Sequence, residues 1–287
     1  MAAETYWHKA LQCSDAALSS KALVPLSTEL GHISGEAGIT YEIRHLTGLP
    51  PRHLRASGPK PNPFRPWNEQ LQVSLVLNRH VLILNKYPVQ IGHMLLITRE
   101  WAAQGGWLSL EDWQSVVHVD RDTTGLWFFN SGPSAGASQP HRHLQLLPRH
   151  QGERLCPREA WFDAHDLTAQ PGTADAGDRL LGLHCFIRHF PDQLPEPVEL
   201  CDHYEQLCDR AGLGSPSDRE KPSQPYDLLL SRRWLALIRR HCEGVRGFSV
   251  NALGFAGYLL STEASDRRWL QSVGPESLLR DVLPPGP

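Results

Sequence analysis

Two histidines and a glutamine alternate in His141-Arg142-His143-Leu144-Gln145, just after a loop of small residues, Asn130-Ser-Gly-Pro-Ser-Ala-Gly-Ala-Ser-Gln139. Successive side chains of a strand point to opposite faces. On a strand, His141, His143 and Gln145 would share one face, with Arg142, Leu144 and Leu146 on the other. Glycine and alanine in the preceding loop let backbone approach an anion and offer it N–H groups. Imidazole is largely neutral near pH 7 and can attack phosphorus without a separate base. Attack at an α-phosphorus gives a nucleotidyl-histidine that a second acceptor discharges. Such transfer depends on positioning and on stabilising spread negative charge. The loop amides, Ser138 and the Gln145 carboxamide are suitable donors.

Each part also has a plainer reading. An isolated His-x-His can be two structural histidines. It can also be two ligands of a tetrahedral metal site, which needs a third; His150, past Pro148, is not obviously placed for that. The small-residue loop alone can be an ordinary turn. Lys60, in Gly58-Pro-Lys-Pro-Asn-Pro-Phe64, is either a phosphate-facing cation held by prolines or a solvated loop lysine. Asn85-Lys86 ends an apolar run, where asparagine is often a turn residue. Asn251 lies inside the apolar run 248–260, and a polar amide there needs a partner, backbone or ligand.

These residues need a sheet to carry them. Apolar alternation predicts strands at 39–44, 93–99, 126–130, 141–147 and 183–190. Hairpins are expected at 71–77 with 80–85, turning at Asn78-Arg79, and at 226–231 with 234–238. Helices are expected over 5–20, 109–119, 197–211 and from Pro275, with Ser109 as a cap and acids in its first turn. Residues 23–30 read as the exit from the first helix. Residues 49–67, with six of the chain's 23 prolines, read as a loop. Residues 150–179 read as irregular and 212–225 as a polar loop. The expectation is a single compact unit over 1–287. A core at 58–150 carries the motif, and residues 180–287 complete the sheet and pocket.

The 287 residues, 40% apolar, suffice for a sizeable core. A net charge of −3 gives no global electrostatic reason to bind nucleic acid or an anionic membrane. No apolar run is long enough to span a bilayer, and the N-terminus lacks a signal-peptide core. Six scattered cysteines without a CxxC read as reduced thiols, which points to the cytoplasm.

The chain resembles the diadenosine tetraphosphate phosphorylase (ATP adenylyltransferase) family, in the nucleotidyltransferase branch of the histidine-triad superfamily. The resemblance rests on Lys60-Pro-Asn-Pro-Phe, Val81-Leu-Ile-Leu-Asn-Lys-Tyr-Pro-Val, His93-Met-Leu-Leu-Ile-Thr, the loop 130–139, His141-Arg-His-Leu-Gln, Tyr226-Asp-Leu-Leu-Leu-Ser-Arg-Arg-Trp and the stretch 251–258, in family order. It implies an α+β fold, a histidine-triad-like antiparallel sheet with flanking helices. The implied reaction is reversible phosphorolysis of diadenosine tetraphosphate to ATP and ADP through an adenylyl-histidine. By the same resemblance His143 is the nucleophile, His141 orients the site, and Gln145 binds the transferred group. Gly136, Ala137, Ser138 and Gln139 hold phosphates, with Asn130 nearby. Lys60, Asn85, Lys86, Asn251, Gly254 and Gly257 contact substrate. No tightly bound cofactor or protein-held metal is implied; Mg2+ would arrive with the polyphosphate.

Histidine-triad hydrolases carry a third histidine where this chain has Gln145, and a neutral amide cannot serve as acid or base. That favours transfer to phosphate over hydrolysis. A dinucleoside polyphosphate hydrolase and a non-catalytic nucleotide-binding protein stay as alternatives. A sugar-nucleotide uridylyltransferase shares His-x-His-x-Gln, but the glycine-rich loop differs and its metal-ligand signatures are missing here. Arg142 stands where the family commonly has lysine and should face away from substrate. Phe129 replaces a usual tyrosine, which puts any hydroxyl contact there in doubt.

Overall fold

The computed structural model describes residues 3–48, 62–150, 152–164 and 181–285. Along the chain run α1 (Thr5–Ser19), β1 (Thr28–Ser34), β2 (Thr40–Leu46), β3 (Gln72–Val76), β4 (His80–Leu84), β5 (Met94–Thr98), α2 (Leu110–Asp122), β6 (Gly125–Asn130) and β7 (His143–Pro148). They are followed by α3 (Glu159–Ala164), β8 (Cys185–His189), α4 (Pro197–Arg210), β9 (Tyr226–Leu230), β10 (Trp234–Arg239), β11 (Gly244–Val245), β12 (Phe248–Ser249), α5 (Ala252–Ala256), β13 (Tyr258–Ser261), α6 (Arg267–Val273) and α7 (Pro275–Asp281).

Eight strands form one sheet in the order β3-β4-β5-β7-β6-β9-β10-β8, every neighbouring pair antiparallel. The class is α+β. Alternation splits the side chains between two cores. Trp127, Phe129, Leu144, Leu146, Leu228 and Leu230 join the core under α1, α2 and α4. Leu126, Phe128, Leu147, Leu229 and Trp234 face the second core, built with α3, α5, α6 and α7. Covered on both faces, β6 and β9 are buried throughout. A smaller sheet, β1-β2-β13, lies on the second side, where β13 runs parallel to β2.

Local chemistry explains the ends of several elements. Ser109 caps α2 and forms a capping box with Asp112. The β3–β4 turn centres on Leu77 and Asn78, both with positive φ (47° and 56°), one residue earlier than the sequence indicates. Two left-handed central residues make the mirror-image turn whose twist suits a hairpin, here without glycine.

Four readings need correction. Residues 28–34 form β1, an edge strand whose mostly exposed pattern leaves no apolar run to read. The stretch 150–179 contains α3, anchored by buried Trp161 and Phe162, and 248–260 divides into β12, α5 and β13. Most relevant to function, the strand expected at 141–147 starts at His143. His141 makes only an isolated bridge to Ala103, because β5 ends at Thr98 and residues 102–104 take over the pairing of 140–142. Among the described residues no helix is long and apolar enough to cross a membrane.

Candidate active site

β7 delivers His143 and Gln145 to a cavity of about 930 Å³ on the second face of the large sheet. Its wall draws on the residues just after β4 and just before β5 (Asn85, His93), on β6 and the following loop (Asn130, Gly136, Ser138, Gln139), on the start of α5 (Asn251, Gly254) and on the small sheet (Glu42, Arg44, Tyr258). Among the described residues, Arg44 and Lys86 are the cations of this lining and Glu42 its one carboxylate, a balance that suits an anionic ligand.

His143 is 4% exposed. Its Nδ1 lies 2.8 Å from the His141 carbonyl oxygen, which can only accept, so Nδ1 carries the proton and Nε2 the lone pair. Burial pushes the ring's pKa down to about 4, so at neutral pH it is uncharged.

A second chain of bonds fixes Gln145. Asn85 Oδ1 accepts the Tyr87 N–H at 3.1 Å, so its Nδ2 must donate to His93 Nδ1, 3.1 Å away. His93 Nε2–H then donates to Gln145 Oε1 at 3.0 Å. The Gln145 NH2 is thereby reserved for the cavity as a donor. Burial also lowers the His93 pKa to about 4. His93 was not singled out from the sequence, yet the argument applied to Asn251 covers it: a polar ring opening an apolar strand needs a partner.

His141 is enclosed. Asn62 Oδ1 accepts the Phe64 N–H, so Asn62 Nδ2 donates to His141 Nδ1 at 2.8 Å, and His141 Nε2–H donates to the Thr98 carbonyl at 2.9 Å. Both ring nitrogens are used, and Phe64 and Trp101 close over the ring edge. His141 does not line the cavity; it is bonded to His143 through its carbonyl, not its ring. Among the described residues no three His, Cys, Asp or Glu side chains are grouped to hold a metal.

The small-residue loop approaches as close as glycine permits. A Cβ on Gly136 (φ +86°) would sit 2.8 Å from Asn251 Cβ and from the Val250 carbonyl. Asn130 Oδ1 accepts the Ala252 N–H and Asn251 Oδ1 accepts the Leu253 N–H. The backbone is therefore the partner that Asn251 required. Behind the loop, fully buried Arg240 pairs with Asp227 and donates to the carbonyls of Ala135, Cys242, Glu243 and Val250. No local pattern distinguishes Arg240 from its neighbour Arg239.

Several site expectations fall elsewhere. Lys60 lies outside the described residues. Ala137 is buried but does not line the cavity. Gly257 does not line it either: it caps α5 with φ 101°, and a Cβ would meet Pro157 at 2.6 Å, so packing requires this glycine. Phe129 faces the helix-side core against Tyr226, so a hydroxyl there would not point at the cavity. Arg142 faces away from the cavity, paired with Asp112 at 3.0 Å.

The Ap4A phosphorylase N-terminal domain matches residues 1–162, and the ATP adenylyltransferase C-terminal domain matches residues 181–285. The chain belongs to the Ap4A phosphorylase family. Diadenosine 5',5'''-P1,P4-tetraphosphate phosphorylase 2 of Saccharomyces cerevisiae is 28% identical over 247 residues, 77% of this chain and 74% of that protein. Protein APA1 of the same yeast is 25% identical over 282 residues, 86% and 83% of the two chains. The crystal structure of yeast Ap4A phosphorylase Apa2 superposes with a TM-score of 0.74 at 22% identity, covering 98% of this chain and 93% of that one. Apa2 in complex with Ap4A gives 0.71 at 22% identity, covering 98% and 96%. At that identity the superpositions speak for the fold. Within the Ap4A phosphorylase family, then, this member places one neutral imidazole and one oriented carboxamide side by side on β7.

Proposed function

We propose that this protein phosphorolyses diadenosine tetraphosphate to ATP and ADP, reversibly, with His143 Nε2 as nucleophile. The observation that carries the reading is the His143 ring. Its Nδ1–H is held by the His141 carbonyl, and its free Nε2 sits on the wall of an anion-suited cavity. Nε2 attacks the α-phosphorus of one adenylyl end. The N–P bond forms, the P–O bond to the polyphosphate breaks, and ATP departs. The proton stays on Nδ1, so the adenylated ring is cationic and the His141 carbonyl stabilises it. Inorganic phosphate then attacks the same phosphorus, releases Nε2 and yields ADP. Leaving and attacking oxygens both belong to phosphates, which need no protonation or deprotonation at the moment of transfer. A neutral Gln145 fits that requirement: it donates hydrogen bonds to the transferred group and offers no base to a water.

Gly136, Ser138 and Gln139 are assigned to the phosphates with the Asn130 carboxamide, Gly254 and Asn251 to the adjoining wall, and Lys86 to the polyphosphate. The ligands are expected to be small nucleotides, with magnesium bound to the substrate.

The test is product analysis with diadenosine tetraphosphate, with and without phosphate. The reading expects ATP plus ADP only when phosphate is present, and an adenylyl adduct on His143 when phosphate is withheld. Phosphate-independent ATP plus AMP would make the protein a hydrolase, and binding without products would make it a nucleotide-binding protein.

A further inference from the structure

β6 and β7 are hydrogen-bonded neighbours from Gly125↔Pro148 to Phe128↔Gln145, and there the ladder stops. Continued in register, Asn130 would lie opposite His143. Instead the strands part at the point where the proposed nucleophile sits. His143 keeps its partner on the other side, Ile97 of β5, and Asn130 keeps Asp227 of β9. Their facing backbone groups would be buried without partners, a costly state for amides.

The gap is filled by one side chain. Gln104, 2% exposed, inserts its carboxamide between the strands. Its Oε1 accepts the His143 N–H at 2.8 Å; its Nε2 donates to the Asn130 carbonyl at 2.7 Å and to the His143 carbonyl at 3.2 Å. The carboxamide thus does the work of a missing strand residue. It touches both backbone groups of His143 and holds the residue whose side chain reaches Ala252 at the start of α5. Gln104 is itself pinned. Its own N–H donates to the Pro140 carbonyl at 2.8 Å, and the neighbouring Ala103 carbonyl accepts from Arg142 at 3.0 Å.

We propose that Gln104 is a positioning residue for nucleotidyl transfer: by bridging the parted strands it fixes the His143 backbone, and through it the aim of Nε2. The proposal rests on the reading of His143 as nucleophile. Gln104 does not line the cavity, so it serves the aim of the ring rather than the holding of nucleotide. Misplacement of a reacting group by about 1 Å is enough to cost roughly a hundredfold in rate.

The test uses the full chain with Gln104→Met, near-isosteric and unable to make any of the three bonds, and Gln104→Glu, which keeps one acceptor and loses both donors. Val117→Ala, in the helix-side core, is the control for general destabilisation. Gln104→Met should lower kcat about a hundredfold while KM and nucleotide Kd stay within about threefold. Gln104→Glu should lose activity at neutral pH and regain part of it at lower pH, where a protonated carboxyl can again donate. Imidazole 15N NMR of the unliganded protein should show the His143 Nδ1–H signal broadened or shifted in both variants and unchanged in Val117→Ala. Wild-type kcat in folded Gln104→Glu, a KM that rises in step with the fall in kcat, or an undisturbed His143 signal overturns the proposal. The NMR readout needs no turnover. If the wild type gave no adenylyl transfer, the function would fall, while the ring signal would still decide whether Gln104 orients His143.

Discussion

The two faces of β7 carry opposite solutions to burying polar groups. On the cavity face, His143 and Gln145 are neutral, each oriented by a bond to a group that can play only one part. Toward the helix face, from the position just before β7 begins, Arg142 enters a charged knot. Asp112 accepts from Arg142 at 3.0 Å and pairs with His80 at 2.8 Å, and Ser115 Oγ lies 2.8 Å from the other His80 nitrogen. Ser115, His80 and Asp112 are the residue types of a hydrolase triad, yet all are buried and none lines the cavity. Residue types suggest chemistry, but access decides it. The face with the richer set of catalytic side chains is the structural one. The face that reaches solvent keeps one lone pair and one NH2 in reserve.

The comparison can be broken at either face. His143→Ala should remove turnover and adduct formation while nucleotide affinity stays within about tenfold, roughly 1.4 kcal/mol; retained turnover would strip the cavity face of its assigned role. On the other face, Asp112→Ala leaves a buried guanidinium without its carboxylate. It should destabilise the fold by about 3–5 kcal/mol in denaturant titration. A loss under about 1 kcal/mol would mean that the knot is ornamental.

Acid separates the faces next. The His143 and His93 rings have pKa values near 4 in the fold, against about 6.5 when exposed. Such rings gain protons on unfolding, so their contribution is intact above about pH 6.5 and is lost as pH falls toward 4. Each should cost on the order of 1–2 kcal/mol of stability between pH 7 and pH 5. Their imidazole 15N shifts should still report neutral rings at about pH 5.5. A ring half-protonated at about pH 6.5 would contradict its burial. The smallest effect is expected from Asn85→Ala, which frees His93 to turn and so loosens Gln145. It should cost about 0.5–1.5 kcal/mol in kcat/KM, with a wild-type value as the disconfirming result.

Alternation made part of this arrangement legible. His143 and Gln145 on one face and Arg142 on the other follow from a period of two, and Ser109 announced the start of α2. The small residues around Gly136 could be read as a close approach, and the approach is to Asn251. What stayed hidden depends on contacts distant in sequence. His141 is closed off by Asn62, Phe64 and Trp101, and no local pattern separates it from its neighbour. Gln104 is one polar residue in a turn-rich stretch, and its value comes from a strand register that stops. β1 was missed because an edge strand with one mostly solvated face carries little apolar signal.

The seam between the two matched segments runs through both sheets. β9, from the later segment, is hydrogen-bonded along β6 from the earlier one, and β13 lies alongside β2. A nascent chain that has reached residue 162 therefore has a bare edge on β6 and an open pocket. Both wait for strands that leave the ribosome last. A chain cut short before β9 would leave the β6 edge unpaired, and one cut short before β13 would lack the strand beside β2 and the Tyr258 side of the pocket wall; an uncovered strand edge is a template for pairing with another chain.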